Sequence, residues 1–338
     1  MAYRFKFGES ANKGFRRLAR EQVELALREL AADPVLPLGI HGTRKVLKRL
    51  RALLMCAAPA IDAKTFRKRI AALRDLSQLL APQRDAVISV QTVQNLEVHF
   101  GKDRAAVFSG LRAHLDSTAA KMAGSLDPQL AEQVQRQLVV EGKKLAAIRL
   151  KGKGFEPIAK GIETSYRKGR RAFENAYQKP SDKKFHDLRK AVQSHWRHMN
   201  LISNAWPGVF EARVSEARDL SDILGDDHDI FVMQKHASSL SGAEQAEISR
   251  LCTVRQTELR NAVQFRAARL FAEPPKAFKR RISEYWRCGT KISAQQRTQS
   301  VAVEPVKVAS TPTAARSIGS APRLATKTPG RGQSQSSR

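Results

Sequence analysis

From Ser10 to Gly289 apolar side chains recur at three- and four-residue spacing with little β-branched alternation, the pattern of amphipathic helices and not of strands. Breaks fall at Asp33-Pro34, Ala81-Pro82, Gly101, Asp127-Pro128, Lys179-Pro180, Pro207-Gly208, Gly225 and Pro274-Pro275, where glycine or proline ends a helix. The intervals suit helices of about three to seven turns. The fold class this predicts is all-α.

The helical stretch echoes itself. "KGFRRLAR" at 13 returns as "KGFEPIAK" at 153, His41 in "GIHGTRKVLKRLRALL" as His186 in "FHDLRKAVQSHWRHMNLI", and "RDLSQLLAPQRD" at 74 as "RDLSDILGDDHD" at 218, at offsets of 140, 145 and 144 residues. Three collinear matches at nearly one offset predict an internal duplication, hence two pseudo-symmetric helical bundles, about 11–150 and 151–290. Residues 291–338 hold no aromatic residue and eight Lys or Arg against one Glu. This composition offers too little apolar burial to offset ordering entropy, so a disordered basic tail is expected there.

The charge balance, 60 Lys and Arg against 32 Asp and Glu for a net +28, points to a polyanionic partner. The tail supplies +7 of it, which leaves +21 on residues 1–290. Three scattered cysteines, Cys56, Cys252 and Cys288, form neither a disulfide framework nor a zinc knuckle. With no signal-peptide pattern, and with Ala52 to Ile61 as the longest apolar run, a cytoplasmic protein without membrane insertion is expected. No feature calls for a cofactor, and the oligomeric state is not legible.

On a helical wheel His41, Arg44, Lys45 and Lys48 share one face with Arg49 and Arg51 at its edges, and Val46, Leu47, Leu50, Leu53 and Leu54 lie opposite. His186, Arg189, Lys190, Gln193 and Arg197 repeat the face, and Leu188, Ala191, Val192, Met199 and Ile202 oppose it. His195 falls among the apolar group and reads as a packed, structural histidine; His198 is intermediate and is given no role. A solvated face usually interleaves Glu with Lys, whereas no acidic residue occurs from Gly39 to Ala60. Such a ridge suits phosphate, which Arg meets with a planar fork and Lys with a point charge. "YRKGRR", from 166, is another basic surface, facing either the ridge or water.

"LGDDHDI", 224–230, first suggests metal chemistry, and with His186 and Asp187 invites comparison with helical metal phosphohydrolases. Its counterpart "LAPQRDA" sets Arg84 where His228 stands and Gln83 where Asp227 stands. An arginine in that place argues for a cationic role, so no metal ligand is assigned; Asp226 or Asp227 reads as a helix N-cap after Gly225.

Taken together, "YRFKFGES", the two histidine helices, "LRDLSQLLAPQRDA", "YRKGRR" and "ARDLSDILGDDHDI" resemble the CHAD domain family, in order over nearly all of residues 1–290. The resemblance implies two helical bundles facing one another across a cationic channel, and binding of inorganic polyphosphate without catalysis. By position it implies ligand contacts from His41, Arg44, Lys45, Lys48 and Arg51, from His186, Arg189, Lys190 and Arg197, and from Arg84 and His228. The chain departs from the pattern at Gln193, where Lys is frequent, and at Arg197, where an aromatic residue is common. Some CHAD chains also carry a CYTH-type triphosphate tunnel marked by Glu-x-Glu, which occurs nowhere here.

The leading expectation is therefore a non-enzymatic polyphosphate-binding protein, with association to polyphosphate granules implied by the family alone. A nonspecific nucleic-acid-associated protein is the alternative, drawing on weak backbone binding by the tail. Little aromatic interleaving on the basic faces and no recognised RNA- or DNA-binding motif speak against it. A phosphohydrolase centred on His186, Asp187, His228 and Asp229 ranks third, and a basic scaffold for another protein stays open.

Overall fold

The computed structural model describes residues 3–32, 35–122 and 126–302, the side chains of 82–87, 102–103, 121–122, 238–239 and 300–302 excepted. The chain is helical from α1 (Ala11–Glu29) through α2 (Pro37–Ala57), α3 (Ala63–Leu79), α4 (Pro82–Phe100), α5 (Lys102–Ala105), α6 (Ser109–Met122) and α7 (Pro128–Ala146). It continues through α8 (Glu156–Gln178), α9 (Asp182–Leu201), α10 (Pro207–Gln234), α11 (Gly242–Leu270) and α12 (Pro275–Ala302). The described residues include no strand, so the fold is all-α. None of their helices is long and apolar enough to cross a membrane.

Several boundaries follow side-chain chemistry. Ser10, Asp62 and Asp127 each accept a hydrogen bond from a first-turn amide, at Lys13, Thr65 and Leu130, satisfying donors that the helix leaves open. Gly101 ends α4 at φ 79°, a conformation favourable to glycine.

Two expected boundaries need correction. No helix ends at Gly225, because α10 runs unbroken from Pro207 to Gln234. Where the first half has Pro82, which lacks an amide hydrogen and starts α4 afresh, the second has Asp226, which continues the helix. The repeated motif "RDLS" accordingly lies at the end of α3 in one half and inside α10 in the other. At the C-terminal side α12 extends past 290 to Ala302; residues 291–302 contain no Pro or Gly to stop it. The rest of the predicted tail, 303–338, lies outside the described residues, as does the Asp33-Pro34 break.

Both halves of the sequence share the principal core. Phe15, Leu18, Leu47, Leu50 and Leu138 of the first meet Ile158, Tyr166, Leu188, Phe210 and Phe278 of the second. A smaller cluster joins α4 and α6 to α10 and α11 through Val93, Leu96, Leu111, Ile230 and Leu251. The close approach of α2 and α8 depends on Gly161, where a Cβ would sit 1.6 Å from the carbonyl oxygen of Cys56. The N-terminal segment ties α2 to α9: Tyr3 Oη donates to Arg49 O (2.5 Å), and Phe5 N to Leu201 O (2.8 Å). The consequence for function is that the two histidine helices are held against one another.

Candidate anion-binding site between the histidine helices

The apolar faces predicted for the two helices are inside. Val46, Leu47, Leu50, Leu53 and Leu54 of α2 are at most 1% exposed, and Leu188, Val192 and Met199 of α9 are fully buried. Their burial rotates the basic faces outward and toward each other at one end, where α3 closes the third side. The result is a cavity of about 270 Å³ between α2, α3 and α9. Its cations are Lys48 and Arg51 from α2, Arg74 from α3, and Lys190 and Arg197 from α9. Ala52, Met55, Ile70, Gln193 and Ser194 complete the wall, and among the described residues no carboxylate belongs to it.

Arg197 lies deepest, 8% exposed. Its Nη1 donates to Gln193 O at 2.8 Å, and its guanidinium lies 4.1 Å from the ring centre of Trp196. The buried Nε has no hydrogen-bond partner among the described residues. Burial pushes the Arg197 pKa down to about 10; nearby Tyr3 opposes this, and the charges of Arg51, Arg49 and Arg218 add to it. The group therefore stays charged at neutral pH. Burial first and Arg74 second lower Arg51 in the same direction. Cations crowded into a partly desolvated cavity repel one another, and an anion among them removes that repulsion.

Sequence reasoning passed over Arg74. The signal was present in the second "RDLS", whose Arg218 lies 4.7 Å from the Trp196 ring centre on the adjoining surface. Each "RDLS" arginine thus sits beside the α2–α9 pairing.

Arg44 and Arg189, the paired arginines of the two ridges, are turned to other partners. Arg44 donates to Ser77 O (3.1 Å) and Leu80 O (2.6 Å), at the C-terminal end of α3. Arg189 lies 3.8 Å from Asp229 and close beside Gly225. Lys45 and His41 are exposed near the start of α2, away from the cavity wall. The Arg84 side chain lies outside the described residues.

His186 and His228 meet beyond Lys190, their rings stacked with centres 4.0 Å apart. Burial lowers both pKa values, His228 to about 4; Lys190 and Arg189 lower His186 further, and His186, Arg189, Lys235 and Lys190 act on His228. Both rings are therefore neutral at physiological pH.

The capping role expected for Asp226 or Asp227 is corrected with the missing break. Asp227 is 2% exposed and accepts from Arg260 Nε at 2.6 Å, while its carbonyl accepts from Gln256. Asp187 pairs with Lys190 at 2.7 Å, and Asp229 faces Arg189. Among the described residues no three His, Cys, Asp or Glu side chains are grouped to hold a metal ion. His195 is buried as expected, accepting at Nε2 from Arg213 Nε (2.9 Å). In "YRKGRR" Tyr166 is in the core, Arg167 pairs with Glu163, and Arg170 donates to Ala272 O and Glu273 O. Lys168 and Arg171 are exposed and do not belong to the cavity wall.

Comparison with known proteins narrows this arrangement to one family. No curated protein matches the sequence. Among solved structures, PptA from Streptomyces chartreusis matches with a TM-score of 0.51 and 15% identity, over 78% of this chain and 98% of that one. The likeness is one of fold. The family model for the CHAD domain matches residues 15–238, which span α1 to α10 and with them every wall of the cavity; the chain belongs to the CHAD domain family.

Proposed function

We propose that this protein binds inorganic polyphosphate without transforming it, and that the cavity between α2, α3 and α9 is where the polymer is held. One observation carries the reading: five cationic side chains from three helices surround one cavity whose wall, among the described residues, holds no carboxylate. Guanidinium and ammonium groups supply charge-assisted hydrogen bonds to phosphate oxygens. They supply neither a nucleophile nor a general base while they stay protonated. Ser194, the hydroxyl in the wall, donates to Lys190 O at 2.8 Å. Arg44 and Arg189 serve by holding α3 and α10 in place, and His41 and Lys45 extend the basic surface along α2. Family membership alone extends this reading to association with polyphosphate deposits in the cell.

Family membership supports it, since CHAD domains are associated with polyphosphate. The test is binding of labelled long-chain polyphosphate to the full chain over a salt series, with duplex and single-stranded DNA as competitors. Affinity is expected to fall with salt as counterions are released, by analogy with nucleic-acid binding, and to rise with polymer length through multivalency. Replacing Arg51, Arg74 and Lys190 together by Ala should weaken binding by roughly a hundredfold, on the order of 1 kcal/mol per contact. Equal displacement by DNA at the same phosphate concentration would point to nucleic acid, and shortening of the polymer on incubation would point to an enzyme.

A further inference from the structure

We propose that the stacked His186–His228 pair is a proton-linked extension of the polyphosphate site, so that long chains bind with proton uptake and more tightly as the medium becomes mildly acidic. The inference rests on the polyphosphate reading and adds regulation to it.

Geometry links the pair to the cavity. Lys190 belongs to the cavity wall and is also among the charges that act on both imidazoles. His186, Lys190, Ser194 and Arg197 follow one another along one side of α9 at steps of three or four residues, a run of about 16 Å. A polymer seated on Arg197 and Arg51 that continues past Lys190 therefore reaches the histidines. The Nδ1 of His186 is buried and has no hydrogen-bond partner among the described residues, a polar atom left unsatisfied in the free protein.

Charges around the pair set the direction of the coupling. From α9 these are Lys190, Arg189 and Asp187, and from α10 Lys235 and Asp229; Asp187 is engaged by Lys190 and Asp229 faces Arg189. On α11, Arg260 is held by Asp227 and Asp182, and Arg255 by Glu258. The field at the rings is set by the cations Lys190, Arg189 and Lys235, opposed by Asp187 at His186, and with burial it keeps both rings neutral in the free protein. A polyanion reverses that field, and a protonated imidazole donates from both nitrogens. Rings 4.0 Å apart repel if both are charged, so the pair takes up about one proton as a unit. Internal phosphates of a long chain keep their charge throughout this range, so the pH dependence belongs to the protein.

The sequence supplies a decisive variant. Arg84 stands at the position of His228 in the first half, which makes His228→Arg a permanent version of the protonated state. The experiment is calorimetric titration of the full chain with long-chain polyphosphate and with tripolyphosphate, between about pH 8 and about pH 5, in buffers of different ionisation enthalpy. For the wild type and the long polymer, affinity should rise by up to about tenfold per pH unit on the acid side, with uptake of about one proton. Tripolyphosphate, confined to the cavity, should show less uptake. His228→Arg should bind the long polymer at neutral pH as the wild type does in mild acid and lose the extra uptake; replacing His186 and His228 together by Gln should abolish the extra uptake and flatten the pH dependence, whatever the affinity at neutral pH. Binding whose uptake is the same in all three proteins would overturn the proton linkage and leave the cavity reading standing. Absence of binding at every pH would overturn both.

Discussion

Arg44 donates to the carbonyl oxygen of Leu80 at 2.6 Å, and the same nitrogen reaches Ser77 O at 3.1 Å. The last carbonyls of a helix have no partner within it and carry partial negative charge, so a guanidinium from α2 fixes the end of α3. This is the helix that contributes Arg74 and Ile70 to the cavity. Arg44→Ala is therefore expected to destabilise the protein by about 1–3 kcal/mol in urea unfolding. Lys45→Ala, at an exposed neighbouring position, should stay within about 0.5 kcal/mol. Equal effects would remove the structural role assigned to Arg44.

Trp196 reports on the site. Arg197 lies 4.1 Å and Arg218 4.7 Å from its ring centre, contacts that depend on where these guanidiniums point. Polyphosphate drawing Arg197 toward its oxygens should change the indole emission in a saturable titration. The change should survive Trp206→Phe, since Trp206 lies against Tyr285 elsewhere, and vanish in Trp196→Phe. A signal indifferent to Trp196→Phe would place the ligand away from Arg197.

Asp227 separates a structural carboxylate from a metal ligand. It is buried, and Arg260 Nε donates to it at 2.6 Å. On removal of that carboxylate Arg260 keeps Asp182 as a second partner, so the loss is that of a charge-assisted hydrogen bond, about 1.5–3 kcal/mol. Asp227→Ala should lower the midpoint of unfolding accordingly, with polyphosphate affinity at low temperature unchanged. Loss of affinity without loss of stability would restore Asp227 to the site.

Much of this arrangement was legible because burial follows helical periodicity. The α2 and α9 apolar faces and the buried His195 came from spacing alone, and so did the basic ridges. What spacing does not reveal is which ridge arginine turns to a protein partner. Arg44 and Arg189 occupy matching positions yet meet, respectively, helix-end carbonyls and a carboxylate, because Pro82 breaks one copy of the motif and Asp226 continues the other. Gly225 looked like a terminus for the same reason: its propensity cost is small beside the packing of a helix that spans both apolar clusters. Arg74 escaped notice because its role depends on α3 crossing α2, a tertiary fact. The C-terminal boundary was set too early because residues 291–302 are poor in apolar side chains while still free of helix breakers.

His198 makes a separate prediction about acid stability. Its ring is 1% exposed, and Nε2 lies 2.9 Å from Ala52 O; a carbonyl only accepts, so Nε2 carries the hydrogen. Burial lowers its pKa from 6.5 to about 4, against the opposing effect of that hydrogen bond. A depressed pKa means the unfolded chain binds the proton more tightly. The contribution to stability is therefore complete above about pH 6.5 and is lost as pH falls toward about 4, a change of about 3 kcal/mol at most. His195, lowered well below its ordinary value by burial and by Arg213, acts in the same direction. His198→Gln keeps an amide donor near Ala52 O and removes one titrating group, so its unfolding midpoint should fall less steeply with acid than that of the wild type. Parallel curves across this range would show that His198 does not stay neutral because of its burial in the fold.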